Sequence, residues 1–325
     1  MMKYCSKLVT VILVFLWMSA NGFAQENQWG KVILKAPWGK GPGECGLWQY
    51  SKGDAACLKD YPRCGPRSFS LDSRNNIYIL DTVNERVNKY APNGKFLFSF
   101  PASAHHTDIV VSPVDGRIYL LSPSENCVRR YSGNGKIEEE IKLSEGDRPF
   151  NRMTEDAGKI RIPAAGGRDV SLSLADGRRL SASDTDTQGD DRQCGYEIVP
   201  DTGTWGADVA IMGSGKRSLK KVKIKTDSPL ARAEMIGTMP DAGFVLISKF
   251  CKPGEASTLK NSAKEKRYYE VRAVNSNGDE IGRISLPSSD ENWTSMKRRV
   301  LIKNSSLYLM CTRKDGVYLY QRALK

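Results

Sequence analysis

The residues able to do chemistry are few. The chain of 325 residues has two histidines, the adjacent pair His105 and His106. Imidazole is the side chain most often used to hold a metal or move a proton near neutral pH. Neighbours on an extended strand point to opposite sides, and a metal site needs three or four converging ligands, so the pair does not make a site by itself. Asp108 stands two residues on, at the head of an apolar run. Its carboxylate is the kind of oxygen donor that a hard divalent cation takes. A nucleophilic serine is not signalled, since no Gly-x-Ser-x-Gly occurs. Gly213-Ser214-Gly215-Lys216 carries part of a phosphate loop without its full spacing. No Cys-x-x-Cys pair is present, which removes the usual zinc spacings. The catalytic class of function therefore has no motif behind it.

Other features bound the protein more firmly. Lys3 and Lys7 precede an apolar run from Leu8 to Met18, and the small residues Ser19, Ala20, Gly22 and Ala24 follow. This is the pattern of a secretory signal over 1–24. The expectation is a secreted or periplasmic protein with no transmembrane segment once that signal is removed. Seven cysteines follow the signal, and export makes disulfides expected. Cys57 and Cys64, or one of them with Cys45, are the candidates, because they lie in a Gly-rich stretch with little core of its own. The formal charge of +12 fits a protein or anionic polysaccharide partner; nucleic acid is excluded by the expected location.

These residues must be positioned by a repeat. Tyr78 recurs as Tyr119, Tyr90 as Tyr131, and Asn93-Gly94 as Asn134-Gly135, each 41 residues on. A period of this length made of strands signals β-propeller blades. Within the first unit, Ser68 to Leu71, Ile77 to Leu80, Arg86 to Tyr90 and Lys95 to Phe100 read as strands, with Asn-Gly at the last hairpin. The second unit runs from Asp108 to Leu143. Weaker units follow to Ala182, to Thr226 and to Leu286. The last, from Arg299 to Arg322, has three strands, and Lys31 to Ala36 supplies the fourth. That closure removes an open sheet edge. The expected architecture is an all-β, six-bladed β-propeller over 25–325, a single domain closed by an N-terminal strand, with a cysteine-containing insertion at 37–64. The lysine-rich run Lys216 to Lys225 alternates lysine with apolar residues at its end, as a charged outer edge strand would.

Gly65-Pro66, Phe69-Ser70-Leu71-Asp72, Asn76 to Asp81, Asn84 to Val87, Tyr90 and Gly94-Lys95 together resemble the NHL repeat. Trp38-Gly39-Lys40-Gly41-Pro42-Gly43 is similar to the start of exported bacterial six-bladed propellers of the NHL and TolB-like groups. In the second unit Ser122-Pro123 departs from the pattern. The resemblance implies a propeller with a binding role, most often toward protein. Two enzyme families share this architecture. Peptide-amidating lyases need several histidine zinc ligands, which this chain lacks. Gluconolactonase-like propellers hold a divalent cation in the central channel, and Asp108 is the residue that resemblance would use. The alternative reading is thus a metal-dependent hydrolase or lactonase. The primary reading is an exported, non-catalytic binding module without a cofactor.

Binding is expected at one rim. One face of a propeller carries the connections into the inner strands and those between second and third strands. Pro37 to Cys64, His105-His106 and the insertion Lys252 to Lys266 all fall on such connections. Trp48, Tyr50 and Tyr61 offer rigid aromatic area, and His105, His106, Lys252, Lys260 and Lys264 add polar contacts, a mixture suited to a partner surface. Asp81, at a strand end, is expected to accept backbone N–H groups of the next turn, with Arg86 as its ion-pair partner.

Overall fold

The protein is described by a computed structural model over residues 29–48, 64–144, 152–163 except 157, 170–174, 179–180, 195–200, 206–212, 218–225, 230–238, 244–250, 268–286 except 276 and 278, and 298–324. It is all-β. Strand β1 is Lys31–Ala36. A first meander holds β2 (Ser68–Leu71), β3 (Ile77–Asp81), β4 (Arg86–Tyr90) and β5 (Phe96–Pro101); a second holds β6 (Asp108–Val111), β7 (Ile118–Ser122), β8 (Cys127–Tyr131) and β9 (Ile137–Lys142). A third comprises β10 (Thr154–Asp156), β11 (Lys159–Ile162), β12 (Val170–Ser173) and β13 (Arg179–Leu180). Then come β14 (Gly195–Pro200), β15 (Gly206–Met212) and β16 (Ser218–Lys225), followed by β17 (Leu230–Thr238), β18 (Phe244–Phe250), β19 (Tyr268–Val274) and β20 (Glu280–Ser285). The last three are β21 (Val300–Lys303), β22 (Ser306–Arg313) and β23 (Gly316–Ala323). Each run forms its own sheet in chain order, except that β1 joins the last one in the order β1-β23-β22-β21.

The two inner strands of each of the first two meanders are buried on both faces, whereas their outer strands β5 and β9 are largely open to solvent. Every residue of β3 is buried, and alternate residues face different neighbours. Ile77 and Ile79 pack with Leu34, Tyr308, Met310 and Leu319 of the last sheet. Tyr78 and Leu80 pack with Ile109, Val111, Ile118 and Leu120 of the second. The second sheet in turn buries Tyr119, Leu121 and Val128 against Ile160, Val170 and Leu172 of the third. On the other side, Val271 and Ile284 meet Leu307, Leu309 and Tyr320. The fifth, sixth, first, second and third sheets therefore stack face to face in that order, and β2 runs beside β6, β14 beside β17 and β17 beside β21. This is a propeller-like arrangement, with the first strand of each meander innermost.

Turn chemistry explains the repeat. Gly94 N–H donates to Ala91 O at 2.9 Å, Ala91 N–H to Lys95 O at 2.8 Å, and Gly94 has φ +81°. Gly135, one period on, has φ +87° and the equivalent bonds through Ser132. This is a hairpin turn ending in a left-handed residue, which glycine adopts without strain. The extra residue shifts register between Lys89 and Tyr90 and, in the second sheet, between Arg130 and Tyr131.

Two expectations are refined. The fourth unit was expected without a settled strand composition, and three strands form among its described residues. In that sheet β14 lies beside β17 and β16 stands at the far end, so the lysine-rich β16 is the outer edge among the described strands. In the third unit the expected strand Phe150 to Thr154 instead forms later, as Thr154–Asp156.

Candidate functional site

Two polar constructions stand out on the face that carries the connections into the inner strands. The first lies where those strands begin. Asp108, fully buried at the head of β6, accepts from Ser68 Oγ at the head of β2 at 2.5 Å, from its neighbour Ile109 N–H at 3.0 Å and from Met153 N–H, just before β10, at 2.7 Å. Arg298, just before β21, donates Nη2 to Asp108 Oδ2 at 2.7 Å and also to Met153 O. Its own N–H bonds to Arg67 O at 3.3 Å. Since the sheets stack in the order sixth, first, second, third, a side chain of the sixth reaches the third only on the inner side, where the first strands converge. The network therefore ties four sheets together across the middle. Burial pushes the Arg298 guanidinium below its ordinary range, Asp108 opposes that shift, and the charge on Arg152 adds to it.

This geometry tests Asp108 as a ligand for a divalent cation. Both carboxylate oxygens are already engaged, and the nearest charge is a guanidinium. A cation would have to displace Arg298 from a pair that is 7% and 0% exposed. Asp108 as placed does not fit that role. No group of three or more His, Cys, Asp or Glu side chains among the described residues is placed to hold a metal ion.

The second construction is a strap. Residues 37–48 lie along the connection between β3 and β4 and are held almost wholly through their backbone. Arg86 donates to Lys40 O at 2.9 Å, to Gly41 O at 2.9 Å and to Glu44 O at 2.8 Å. Asn84 Nδ2 donates to Gly39 O, Asn88 Nδ2 to Glu44 O, and Tyr90 Oη to Gly43 O. Asp81, fully buried, accepts Gly46 N–H at 3.0 Å, Asn84 N–H at 3.4 Å and Arg86 Nε at 3.3 Å. Burial raises its carboxyl pKa, and these bonds pull it back. The sequence shows Asp81 and Arg86 as a pair; that the same arginine clamps a segment more than 40 residues away has no local signal. At the strap's other side Trp38 Nε1 donates to Arg313 O at 2.8 Å, tying it to the hairpin of β22 and β23.

The residues singled out in the sequence fall out as follows. Trp48 is 45% exposed, and its backbone pairs with Cys64 through two N–H···O bonds of 2.9 and 3.0 Å. Tyr50, Tyr61, Lys252, Lys260, Lys264 and Cys57 lie outside the described residues. Phe250 and Tyr268, the strand ends that flank the lysine insertion, lie at a connection between second and third strands. His105 is exposed and His106 buried, so the pair is split between solvent and interior. His106 Nδ1 lies 3.1 Å from Ser103 O, and its ring meets Tyr131 edge-on at 6.4 Å. Burial, aided by Arg129, pushes its pKa from 6.5 down to about 4. It is a neutral core histidine here. The disulfide expectation is not met at the two described candidates, since Cys45 and Cys64 are both free. Cys45 is the strap's own buried side chain, 3.8 Å from Tyr90 Oη, and burial drives its thiol pKa far up. A thiol so placed packs as a small apolar group.

Among the described residues, no helix is long and apolar enough to cross a membrane. No protein-family model matches the chain, and no curated protein matches it. Solved structures are similar to it in fold. One is a member of the DUF4221 family from Bacteroides vulgatus, with 10% identity, TM-score 0.49, and coverage of 91% of this chain and 99% of that one. Another is BamB from Moraxella catarrhalis, with 13% identity, TM-score 0.39, and coverage of 91% and 94%. A third is virginiamycin B lyase from Staphylococcus aureus, with 10% identity, TM-score 0.43, and coverage of 80% and 95%. Likenesses at this level leave the chain's activity and partners to be argued from its own residues.

Proposed function

We propose that the chain is an exported six-bladed β-propeller of the NHL-like kind that binds a protein through the face carrying its strap. The observation that supports this most is Trp48. It is a large apolar side chain, 45% exposed, fixed at the end of a segment whose backbone is anchored by Asn84, Arg86, Asn88 and Tyr90. A rigid, exposed aromatic residue is the usual anchor of a protein interface, because little conformational entropy is lost when it is buried. The basic charge of the chain favours a partner with an acidic surface. The reading requires no cofactor and no catalytic step, and the middle of the molecule, occupied by the Asp108–Arg298 pair, is spent on holding sheets together.

The test is site-specific photocrosslinking in the producing cell. A photoreactive residue at position 48 should give one predominant protein adduct. The same residue at Asn134, on a hairpin of the opposite face, should give none. Equal labelling from both positions, or adducts only with polysaccharide, would reject a protein-binding rim on this face.

A further inference from the structure

Among the described residues six large apolar side chains are exposed, and of these Trp48 alone belongs to the strap's face. The other five fall on the opposite face, which carries the turns between first and second strands and the hairpins between third and fourth. Val114, 71% exposed, is in the turn between β6 and β7. Val32, Leu97, Ile137 and Ile281 are each the first or second residue of an outer strand, β1, β5, β9 and β20. Close approaches link these turns. An added Cβ on Gly133, in the β8–β9 hairpin, would lie 3.4 Å from Gly116 O of the Val114 turn. Leu324 N–H donates to Ser305 O at 2.8 Å, which holds the end of β23 against the β21–β22 turn. Beside it Ile281 lines a recess of about 220 Å³ with Val271, Ala273, Ile284, Ala323 and Leu324. Lys31, Lys95 and Lys136, at or just before the same strand starts, are exposed and form no ion pair among the described residues. The exposed acids nearby are largely engaged, Asp115 and Glu138 by Arg117 and Glu280 by Arg283, while Asp279 accepts Asn275 Nδ2 at 3.0 Å. We propose that this face docks on an anionic phospholipid bilayer, with the lysines at the headgroup phosphates and the aliphatic side chains in the layer beneath.

Single exposed apolar residues are ordinary on a protein surface; their segregation to one face, beside unpaired lysines, is what calls for a partner. Two arguments select a bilayer. The residues are spread over the first, second, fifth and sixth sheets, and one partner reaches them together only if it is broad and yields locally. None of the five is aromatic, whereas protein interfaces depend on aromatic and arginine anchors. Shallow aliphatic insertion with lysine contacts is an additive mode of attachment to an anionic membrane surface. The inference concerns the face opposite Trp48 and does not depend on the rim reading.

Vesicle flotation of the purified chain from residue 25 onward tests it; residues 1–24 are left out because their apolar run would bind lipid unaided. Vesicles of phosphatidylcholine mixed with phosphatidylglycerol should carry the protein upward at low salt, and vesicles of phosphatidylcholine alone should carry far less. Val114→Ser combined with Ile137→Ser should weaken binding by about tenfold, from lost apolar burial. Lys95→Gln combined with Lys136→Gln should weaken it by about tenfold or more, a difference that high salt removes. All four positions are exposed, and an unchanged melting temperature checks that each variant keeps its fold. Trp48→Ser should bind as the native chain does. No flotation with the anionic vesicles, full binding by the Val114/Ile137 variant, or an equal loss in Trp48→Ser overturns the proposal. Self-association that the Val114/Ile137 variant abolishes, without flotation of the native chain, would give the face to a second copy and overturn it as well.

Discussion

At the scale of single residues, the protein's most consequential side chains are buried and polar, and their energetics are asymmetric. Removing Arg298 strands Asp108 as an uncompensated charge at the inner ends of four sheets. Arg298→Ala should therefore cost ~3–5 kcal/mol in chemical denaturation, whereas the exposed pair Lys35–Asp315, with both side chains 55% exposed, should tolerate Lys35→Ala without measurable loss. An Arg298→Ala variant as stable as the native chain would mean the pair does not join the sheets. His106 makes a pH-dependent contribution of known sign. Its folded pKa of about 4 lies below the unfolded 6.5. Between those values the unfolded chain binds a proton that the folded chain refuses, so stability falls as pH falls through this window. The shift corresponds to a loss of up to ~3 kcal/mol, complete below pH 4. His106→Gln should flatten the stability profile between pH 6.5 and 4 relative to the native chain, leaving only the carboxylate contribution at the acidic end.

At the scale of elements, the outer strands differ in how they guard their open edges. Strand β1 carries Lys31 and Lys35, β9 carries Glu138, Glu139, Glu140 and Lys142, β16 carries four lysines, and β20 carries Glu280 and Arg283. Strand β5, Phe-Leu-Phe-Ser-Phe-Pro, carries no charge, and Leu97 is 44% exposed on it. An uncharged apolar edge invites pairing with another chain. Leu97→Lys should leave unfolding within ~0.5 kcal/mol of native while reducing light scattering on concentration; unchanged scattering would show that the bulge at Lys89/Tyr90 already protects the edge. The strap is the opposite case, an irregular segment held by side chains. Arg86→Ala removes its bonds to Lys40, Gly41 and Glu44 and should cost about 3 kcal/mol, with faster proteolytic cleavage within residues 37–48. The elements of the first two meanders were legible because hydrophobic runs, Asn-Gly turns and the 41-residue spacing all agree there. The strap's docking was not, since its glycines carry no periodicity and backbone carbonyls leave no mark in sequence. Asp108 was legible as an oddity, an acid heading an apolar strand; its partner Arg298 lies 190 residues away, and nothing local joins them.

At the scale of the whole molecule, a stack of sheets that follows the sequence must still be joined between its first and last members. Strand β1 does this. It pairs antiparallel with β23 from Lys31↔Gln321 to Ala36↔Val317, although 280 or more residues separate the partners. Leu34 and Ala36 are buried against the first sheet's Phe69 and Ile79. Gly94 of that sheet's hairpin is drawn so close to Ile33 that an added Cβ would lie 2.5 Å from its carbonyl oxygen. Trp29, just before the strand, donates Nε1 to Ser285 O of β20 at 2.9 Å. One short segment thus touches three consecutive sheets. Deleting residues 31–36 should expose the long edge of β23, whose residues Val317 to Tyr320 are buried in the intact protein. It also removes the burial of Leu34, worth ~2 kcal/mol. The truncated chain should accumulate as aggregate, and any soluble fraction should unfold at lower denaturant concentration. Supplying the six-residue peptide in trans should restore part of the soluble yield if the missing contribution is strand pairing. A truncated chain that stays monomeric and as stable as the native one would show that the last sheet closes without its fourth strand, and that the two ends of the chain do not hold the stack together.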